Sequence, residues 1–527
     1  MTEKENVVLT GRVLFIRERD YIRTNVINYG MSIIATLVSK EFTVKAIDNN
    51  GRYRLYQHKD ILAEVEAFAP DVICFSISTS NAYTAYTTAQ YLRCHYAKSP
   101  APVFVAGGVH VSHMFEEAID HGIDYVVRGE AELVVLELLR AVLDIREGRR
   151  DAVNMAVPGV AFRREGVVID GGVAPLPQDL DQYSDVNYAI YQVSDFSRHA
   201  RDANDFGAVL SQRGCPFRCA FCSDRYLKEP VRRRSVNSIV DEIERKRKAF
   251  GVDLVDITDT NFTLSDKRVT EFCEEIIARG LNRHITFTIQ SNSFRVVKPE
   301  IISLMKKSGF GWVSFGLERL ESATQNRVHK IQSLDVVYQN LKNYTDQGFT
   351  VSANCLIGFS FDDLERIEAE ERAFSEILWR YADSIPVNIM LPCPGTEEYE
   401  ELPEQNRKWY LSPMFHNIRR PFYQAVKRMQ YDPRLVPTFN FDAAMMRRML
   451  RMRDDMRLRS LKKKSLALFV GYFLMLQVSK VSEFIYLRNP RLESLLFGWS
   501  LDLIARLDAA LVAFWARKGP SQTAGPS

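Results

Sequence analysis

The chain of 527 residues lacks a charge excess of either sign. Its 69 Lys and Arg stand against 66 Asp and Glu, for a formal net charge of +3. Proteins that grip a polyanion through many phosphate contacts concentrate basic residues, so nucleic acid is excluded as the expected partner. An apolar run long enough to cross a bilayer is also missing. The best candidate, 466–476, is interrupted by Gln477, Ser479, Lys480 and Glu483, short of the ~20 residues a span needs. No secretory leader is visible, because the first five residues are polar and the first apolar run reads as a strand. A reducing, cytoplasmic compartment is therefore expected. What is present in ordinary amounts, 46% hydrophobic and 26% charged residues, suffices for sizeable cores and for two to four domains at this length.

Cysteine is sparse, yet three of the eight fall within eight positions. They are Cys215, Cys219 and Cys222, in the stretch SQRGCPFRCAFCSD at 211–224. The spacing C-x-x-x-C-x-x-C lets one short loop aim three sulfurs at a common centre. Thiolates are soft ligands suited to iron–sulfur clusters, which normally take four. With no fourth cysteine nearby, such a site leaves one iron open to a ligand from outside the protein. A zinc knuckle uses the same residue type but brings a second pair of ligands at paired spacing. Cys273 and His284 are too distant to supply it. Cys74, Cys94, Cys273, Cys355 and Cys393 are scattered in apolar surroundings and are expected to be buried thiols.

Residues 8–145 alternate between two hydrophobic patterns. Apolar runs at 12–16, 42–48, 70–78, 102–108 and 124–130 predict strands, and helical spacing predicts helices at 30–40, 61–68 and 83–96. That alternation predicts a doubly wound parallel sheet, whose ligands sit beyond the carboxyl ends of the strands. There lie Ser76 to Thr79, Gly107-Gly108-Val109-His110 and Arg128-Gly129-Glu130. The glycines let a ligand approach the backbone closely. By these residues alone the domain accommodates a nucleotide, a flavin or nothing. Residues 146–205 read as a linker, with a small hairpin over 158–170 and an extended connection rich in Asp and Pro over 175–188.

Residues 206–400 repeat a βα pattern with short connections, including helices at 266–278 and 299–307 and strands at 312–315 and 350–357. The expected architecture is a partial (β/α)6 barrel with its chemistry at the carboxyl ends of the strands. Polar residues gather at those ends: Asp256, Asp259 and Asn261; Gln290, Asn292 and Arg295; Gly316-Leu317-Glu318 with Lys330; Gly358; and Pro392-Cys393-Pro394-Gly395-Thr396. Residues 401–527 form a helical C-terminal extension. Its aromatic and basic part at 409–431 is placed to cover the barrel mouth. A basic stretch follows at 445–464, then the apolar run, then an amphipathic pattern at 492–515 carrying Leu496, Trp499, Leu503, Leu507, Leu511 and Phe514 on one face. Three readings of these helices stay open: a packed helical bundle, a surface for peripheral contact with an anionic membrane or a lipid-soluble substrate, and a dimer interface. Residues 519–527 read as a disordered tail.

The cysteine spacing, with Gly214 before it and Phe221 just ahead of the last cysteine, resembles the signature of the radical S-adenosylmethionine (SAM) enzymes. The runs DITDTNF, GFGWVSFGLERL with a following HK, NCLIGF and LPCPGTEEY resemble the barrel of that family in order. PDVICFSIS, VFVAGGVH and YVVRGEAE resemble the cobalamin-binding domain found ahead of many such barrels. Over residues 10–400 the chain thus resembles the radical SAM enzymes that contain a cobalamin-binding domain, the class B methyltransferases.

The resemblance implies a [4Fe-4S] cluster on Cys215, Cys219 and Cys222, with SAM chelating the fourth iron and Phe221 beside it. It implies reductive cleavage of SAM to a 5′-deoxyadenosyl radical, with electrons from an external donor such as a flavodoxin or ferredoxin. Glu318 would hold the SAM ribose or amino group, Gly358 would let the adenine lie against its strand, and Pro392 to Thr396 would form the floor. Asp259 and Asn261 would face the substrate or the cobalamin. Ser76, Gly107, Gly108, Arg128, Gly129 and Glu130 would line the cobalamin site. The implied reaction passes a methyl group from SAM through methylcobalamin to an unactivated carbon of a small, hydrophobic substrate. Cyclisation or rearrangement without methyl transfer is the alternative.

Two departures stand out. The Asp-x-His-x-x-Gly pattern that supplies a lower ligand to cobalt is absent from 17–25, leaving that face to water, to Tyr21 or Asn25, or to nothing. Phe359, Ser360 and Phe361 replace the family's Pro and Glu after the glycine at 358.

Overall fold

The structure, a computed structural model, describes residues 11–20, 27–50, 56–97, 100–150, 157–191, 206–223, 230–291, 293–411 and 441–486, with 488, 489, 492 and 496. Expectations for Tyr21, Asn25, Asn292, residues 412–431, most of 492–515 and the tail fall outside them. The chain divides into two compact units. One comprises 1–216, 223–252 and 393–396; the other comprises 217–222, 253–392 and 397–527.

The first unit is built on strands β1 (Arg12–Arg17), β2 (Thr43–Asp48), β3 (Val72–Ser76), β4 (Val103–Gly107) and β5 (Tyr125–Val127). They run parallel in the spatial order β2-β1-β3-β4-β5. Val13, Leu14, Phe15 and Ile16 of β1 are all buried. A parallel strand covered on both faces needs such a continuous apolar run rather than an alternating one. The helices Tyr29–Val38, His58–Phe68, Ala82–His95 and Val135–Arg146 alternate with the strands. Chain order reverses between β1 and β3, so the crevice beyond their carboxyl ends is the expected ligand position.

The hairpin β6 (Val160–Arg164) and β7 (Val167–Asp170) does not stand alone in a linker. β6 pairs antiparallel with β5 and extends the sheet to seven strands. The three-residue β5 would otherwise leave an open edge, and Val160, Ala161 and Phe162 of β6 bury themselves there. Three short strands follow, β8 (Ala208–Val209), β9 (Gln212–Arg213) and β10 (Arg232–Arg233), the last two antiparallel to each other. Helix Val236–Phe250 begins at Ser235, whose hydroxyl accepts from the Ser238 amide, and stops at Gly251 in the left-handed region.

In the second unit, β11 (Leu254–Ile257), β12 (Thr286–Ser291), β13 (Phe310–Glu318), β14 (Thr350–Ile357) and β15 (Val387–Ile389) lie side by side in chain order, each parallel to the next. Helices Asp266–Ala278, Pro299–Lys307, Leu334–Asp346 and Leu364–Arg380 separate them. This is the repeated βα construction of the expected barrel. Phe272, Phe287 and Phe310 pack ring against ring in its core, with centroids 5.1 to 6.0 Å apart.

Helix Ala443–Lys464 packs against helix Leu364–Arg380 and β15. It buries Met445, Met449, Met452 and Met456, a stripe at helical spacing, while basic residues occupy its other faces. Lys463 reaches the carbonyls of Leu378 and Ala382. Helix Leu466–Tyr486 returns along it, burying Tyr472 and Leu476 with Leu461.

Two expectations need correction. Cys94 is exposed and Cys393 half-buried, because Cys94 lies in the last turn of Ala82–His95, on its outer side. Asp256 does not follow its strand but lies within β11, where its carboxylate accepts from the Thr288 hydroxyl on β12 at 2.7 Å.

Candidate active site

At the strand ends of the first unit, Ser76 stands opposite Gly107 in register. The Ser76 carbonyl accepts from the Asn81 side chain at 3.1 Å. A Cβ added at Gly107 would meet nothing within 4 Å. Gly108 has φ +118°, and a Cβ there would lie 2.4 Å from the Ile77 carbonyl oxygen. Only glycine fits that conformation and that contact. The result is an opening bounded by backbone, of the kind a bulky planar cofactor needs. His110 is a satisfied core residue, buried between the Thr79 hydroxyl at 3.2 Å and Glu117 at 3.3 Å.

Arg128 and Glu130 are differently employed. Arg128 donates to the Ser112 carbonyl and to Asp170, and its guanidinium lies over the Phe115 ring. Glu130 receives Arg213 at 2.6 Å and Arg232 at 2.5 Å. Burial alone would raise its carboxyl, but those two guanidiniums hold it below the usual range. Both side chains therefore knit the unit together. Gly129, at φ +91°, donates its amide to the Ser112 hydroxyl.

Before the region where the missing lower ligand would stand, Asp20 accepts from the Ser80 hydroxyl at 2.8 Å and pairs with Arg17. The turn 393–396 belongs to this unit. Gly395 has φ +86°, and a Cβ there would fall 1.9 Å from the His113 ring. Burial pushes the Cys393 thiol up to about 11, against a hydrogen bond with Thr79. It is thus a neutral thiol at ordinary pH, not a ready fourth thiolate.

The strand ends of the second unit are charged and constrained. Glu318 closes β13 at φ +63°, and the β13–β14 register slips between Gly316 and Glu318. A non-glycine residue in the left-handed region beside a bulge is the kind of local strain that functional sites hold. Burial pushes the Glu318 carboxyl up, opposed by Lys330 at 3.6 Å. A Cβ on Gly316 would meet Glu318 Oε1 at 2.6 Å, Lys330 Nζ at 3.1 Å and Gln290 Nε2 at 3.4 Å. Three polar side chains, two from neighbouring strand ends and Lys330 from a following loop, thus converge over one residue that has no side chain.

Directly after Glu318, Arg319 is fully buried with Asp362 and Glu370. Asp362 also accepts from the amides of Gly358 at 2.7 Å and Phe359 at 3.0 Å. One carboxylate therefore ties the end of β14 to the end of β13. Gly358 itself has φ +89°, and a Cβ there would crowd Ile389 at 3.0 Å. Nothing in the sequence singled out Arg319, Asp362 and Glu370, because their pairing joins positions far apart in the chain. Glu398 was missed as well. It is buried with no partner at Oε2 among the described residues, and burial, with Glu401 nearby, raises its carboxyl to about 7.

The cysteine loop is anchored by its backbone and its aromatic rings. The Ala220 amide donates to the Val328 carbonyl at 3.0 Å, and the Ala220 carbonyl accepts from the Glu397 amide at 3.1 Å. Phe217 stacks on Phe294 with centroids 3.8 Å apart. Phe221 packs on a buried cluster of Val328, Phe359 and Met390. The Cys222 amide turns back onto the Cys219 carbonyl at 3.1 Å. Pro392, its carbonyl capped by the Trp409 indole at 2.9 Å, ends the strand region.

Cys215, Cys219 and Cys222 are half-exposed, in contrast to Cys74, Cys273 and Cys355, whose burial pushes their thiols up. Three accessible thiols on one short loop fit a three-thiolate cluster by donor chemistry. Among the described residues no three His, Cys, Asp or Glu side chains are already gathered for a metal ion, so the ligand assignment rests on that chemistry and on the spacing. The opening at Gly107 fits a corrinoid, and the polar convergence over Gly316 fits a small charged cofactor.

Family models match both parts of the chain. The model of the radical SAM superfamily matches residues 209–373, and that of the B12 binding domain matches residues 20–139. The chain belongs to the cobalamin-binding radical SAM enzymes. As such it works with an iron–sulfur cluster, SAM and cobalamin.

This radical SAM enzyme is 29% identical over 379 residues to an uncharacterized methyltransferase of Pyrococcus horikoshii, a match covering 70% of the chain and 77% of the relative. It is 26% identical over 361 residues to the anaerobic magnesium-protoporphyrin IX monomethyl ester cyclase of Cereibacter sphaeroides, covering 66% of the chain but only 56% of that relative. Among solved structures, the radical SAM methyltransferase TsrM from Kitasatospora setae, with cobalamin and a [4Fe-4S] cluster bound, has a TM-score of 0.59 at 17% identity over 74% of both chains. That likeness is one of fold.

Proposed function

We propose that this radical SAM enzyme transfers a methyl group from SAM, by way of cobalamin, to an unactivated carbon of a small, hydrophobic substrate. The observation that carries the reading is the pairing of a glycine-walled opening in a B12-type sheet with a charged, strained strand end in a radical SAM barrel. A corrinoid contributes methyl carriage, and a cluster with SAM contributes radical generation. The chain contributes position and dryness. Glu318, with Lys330 beside it, is set to receive the ribose or amino group of SAM, and the Arg319–Asp362 pair keeps Glu318 and Gly358 in place. Phe221, Phe359, Phe361 and Met390 form an apolar wall that excludes water from reactive species. Cys215, Cys219 and Cys222 hold the cluster, and an external one-electron donor such as a flavodoxin or ferredoxin reduces it. The methyltransferase relative favours this reading.

The cyclase relative favours a second one, in which the same cofactors drive ring closure without methyl transfer. Anaerobically reconstituted protein, supplied with cobalamin and SAM carrying a labelled methyl group, separates them. Methyl transfer predicts label on the reduced corrinoid; ring closure predicts deoxyadenosine with no label there. Cys219→Ala is expected to abolish deoxyadenosine formation while corrinoid retention stays intact. Continued reductive cleavage of SAM by that variant would falsify the ligand assignment.

A further inference from the structure

Helix Leu466–Tyr486 is apolar on two opposite faces. The inner face buries Tyr472 and Leu476 against Leu461 of the preceding helix, with Leu468, Phe469 and Met475 packed around them. The outer face carries Leu466, Val470, Phe473, Leu474, Val481 and Phe484, spaced to fall in one stripe. These side chains are 44–68% exposed. From Leu466 to Phe484 the stripe is about 27 Å long at 1.5 Å per residue. An apolar surface of this length, broken at Gln477, marks an interaction site rather than ordinary surface scatter. No helix among the described residues is long and apolar enough to cross a membrane, and this one has its other face committed to packing.

Charge decides what fits. The stripe is bracketed by cations: Lys462 precedes it, Lys480 is exposed along it, and Arg488 lies over the Phe484 ring at its far end. Between 456 and 498 the sequence has eight Lys and Arg, at 457, 459, 462, 463, 464, 480, 488 and 491, against two acidic residues, Glu483 and Glu493. Two copies of the chain joined through this stripe would set like charges together. An antiparallel pair puts Lys462 against the partner's cationic far end, and a parallel pair puts each cation beside its own copy. An anionic bilayer offers apolar depth for the stripe and negative headgroups for both flanks.

We propose that the outer face of helix Leu466–Tyr486 docks the enzyme onto an anionic membrane surface, lying in the plane of the interface. The proposal deepens the functional reading by naming a membrane-dissolved lipid as the substrate class, and it rests on that reading only for this purpose.

The test is flotation of the full chain with vesicles of phosphatidylcholine alone and of phosphatidylcholine mixed with phosphatidylglycerol. The protein is expected to float with the mixed vesicles and not with the neutral ones. Replacing Phe473, Leu474 and Val481 by Ser, all exposed and outside the packed face, is expected to lower the bound fraction at least ~10-fold. Lys462→Glu and Arg488→Glu are each expected to weaken binding to the anionic vesicles ~5-fold. Absence of flotation with the mixed vesicles overturns the proposal. So does a dimer in solution that Leu474→Ser dissociates, which assigns the stripe to a second copy. Flotation requires no turnover, so its failure is distinct from a failure of methyl labelling, which is read on the corrinoid without vesicles.

Discussion

The carboxyl ends of the two sheets, proposed above as cofactor sites, are built in opposite ways. In the first unit the strand end is made by leaving things out: Gly107 faces open space, and Gly108 sits where any side chain would strike the Ile77 carbonyl. The charged residues nearby, Arg128 and Glu130, are consumed by internal ion pairs. In the second unit the strand end is made by putting charge in. Glu318, Lys330 and Gln290 converge above Gly316, and a fully buried Arg319 holds two strand ends together through Asp362. In the proposed reading, clearance suits a large, rigid macrocycle, and fixed charges and hydrogen-bond donors suit a small zwitterionic cofactor.

That contrast breaks most sharply at Asp362. Asp362→Ala leaves the Arg319 guanidinium without its closest carboxylate and frees two amides, and should cost about 3–5 kcal/mol, measured by urea denaturation. Unchanged stability would show that the buried pair does not hold the strand ends.

In the first unit, two adjacent glycines should behave oppositely. Gly108→Ala should cost about 3 kcal/mol, from its backbone conformation and the Ile77 contact together. Gly107→Leu should shift stability by less than about 0.5 kcal/mol yet reduce corrinoid retention ~10-fold or more, since its Cβ starts in open space where the proposed ligand would lie. Equal corrinoid binding by Gly107→Leu would dissolve the clearance argument.

Glu318→Gln keeps the shape of the side chain and removes its charge. Deoxyadenosine formation is expected to fall ~10- to 100-fold, the worth of one charge-assisted hydrogen bond, with cluster iron unchanged.

The smallest effect concerns Glu398. Its carboxyl is raised to about 7, so the fold favours its protonated form. The associated stability is fully present below the ordinary carboxyl range and is lost as pH rises through about 7. The melting temperature should therefore decline from about pH 5 to pH 7 and level off above that, and the decline should flatten in Glu398→Gln.

Local pattern carried far in this chain. The helices Asp266–Ala278 and Pro299–Lys307 and the strand Thr350–Ile357 fall at their expected bounds, because Ser265 and Pro299 mark helix starts and β14 buries its alternate residues Val351, Ala353, Cys355 and Ile357. The spacing of Cys215, Cys219 and Cys222 was equally legible, being confined to eight positions. β13 runs longer than its apolar core of 312–315 suggests, since pairing on both sides carries it through Gly311 and Gly316. The 160–170 hairpin looked like part of a linker because its tie to β5 is a contact between distant positions.

Sequence alone determined the alternation of strands and helices, the trio of thiols and the glycines at strand ends, since each is written in neighbouring residues. Tertiary structure decided which polar residues are free to meet a cofactor. It engaged Arg128 and Glu130 in ion pairs, raised Glu318 into a strained position, and joined Arg319 to Asp362 across 43 residues. The physical reason is that burial and pairing set the chemistry of a charged group, and both depend on what the folded chain brings beside it.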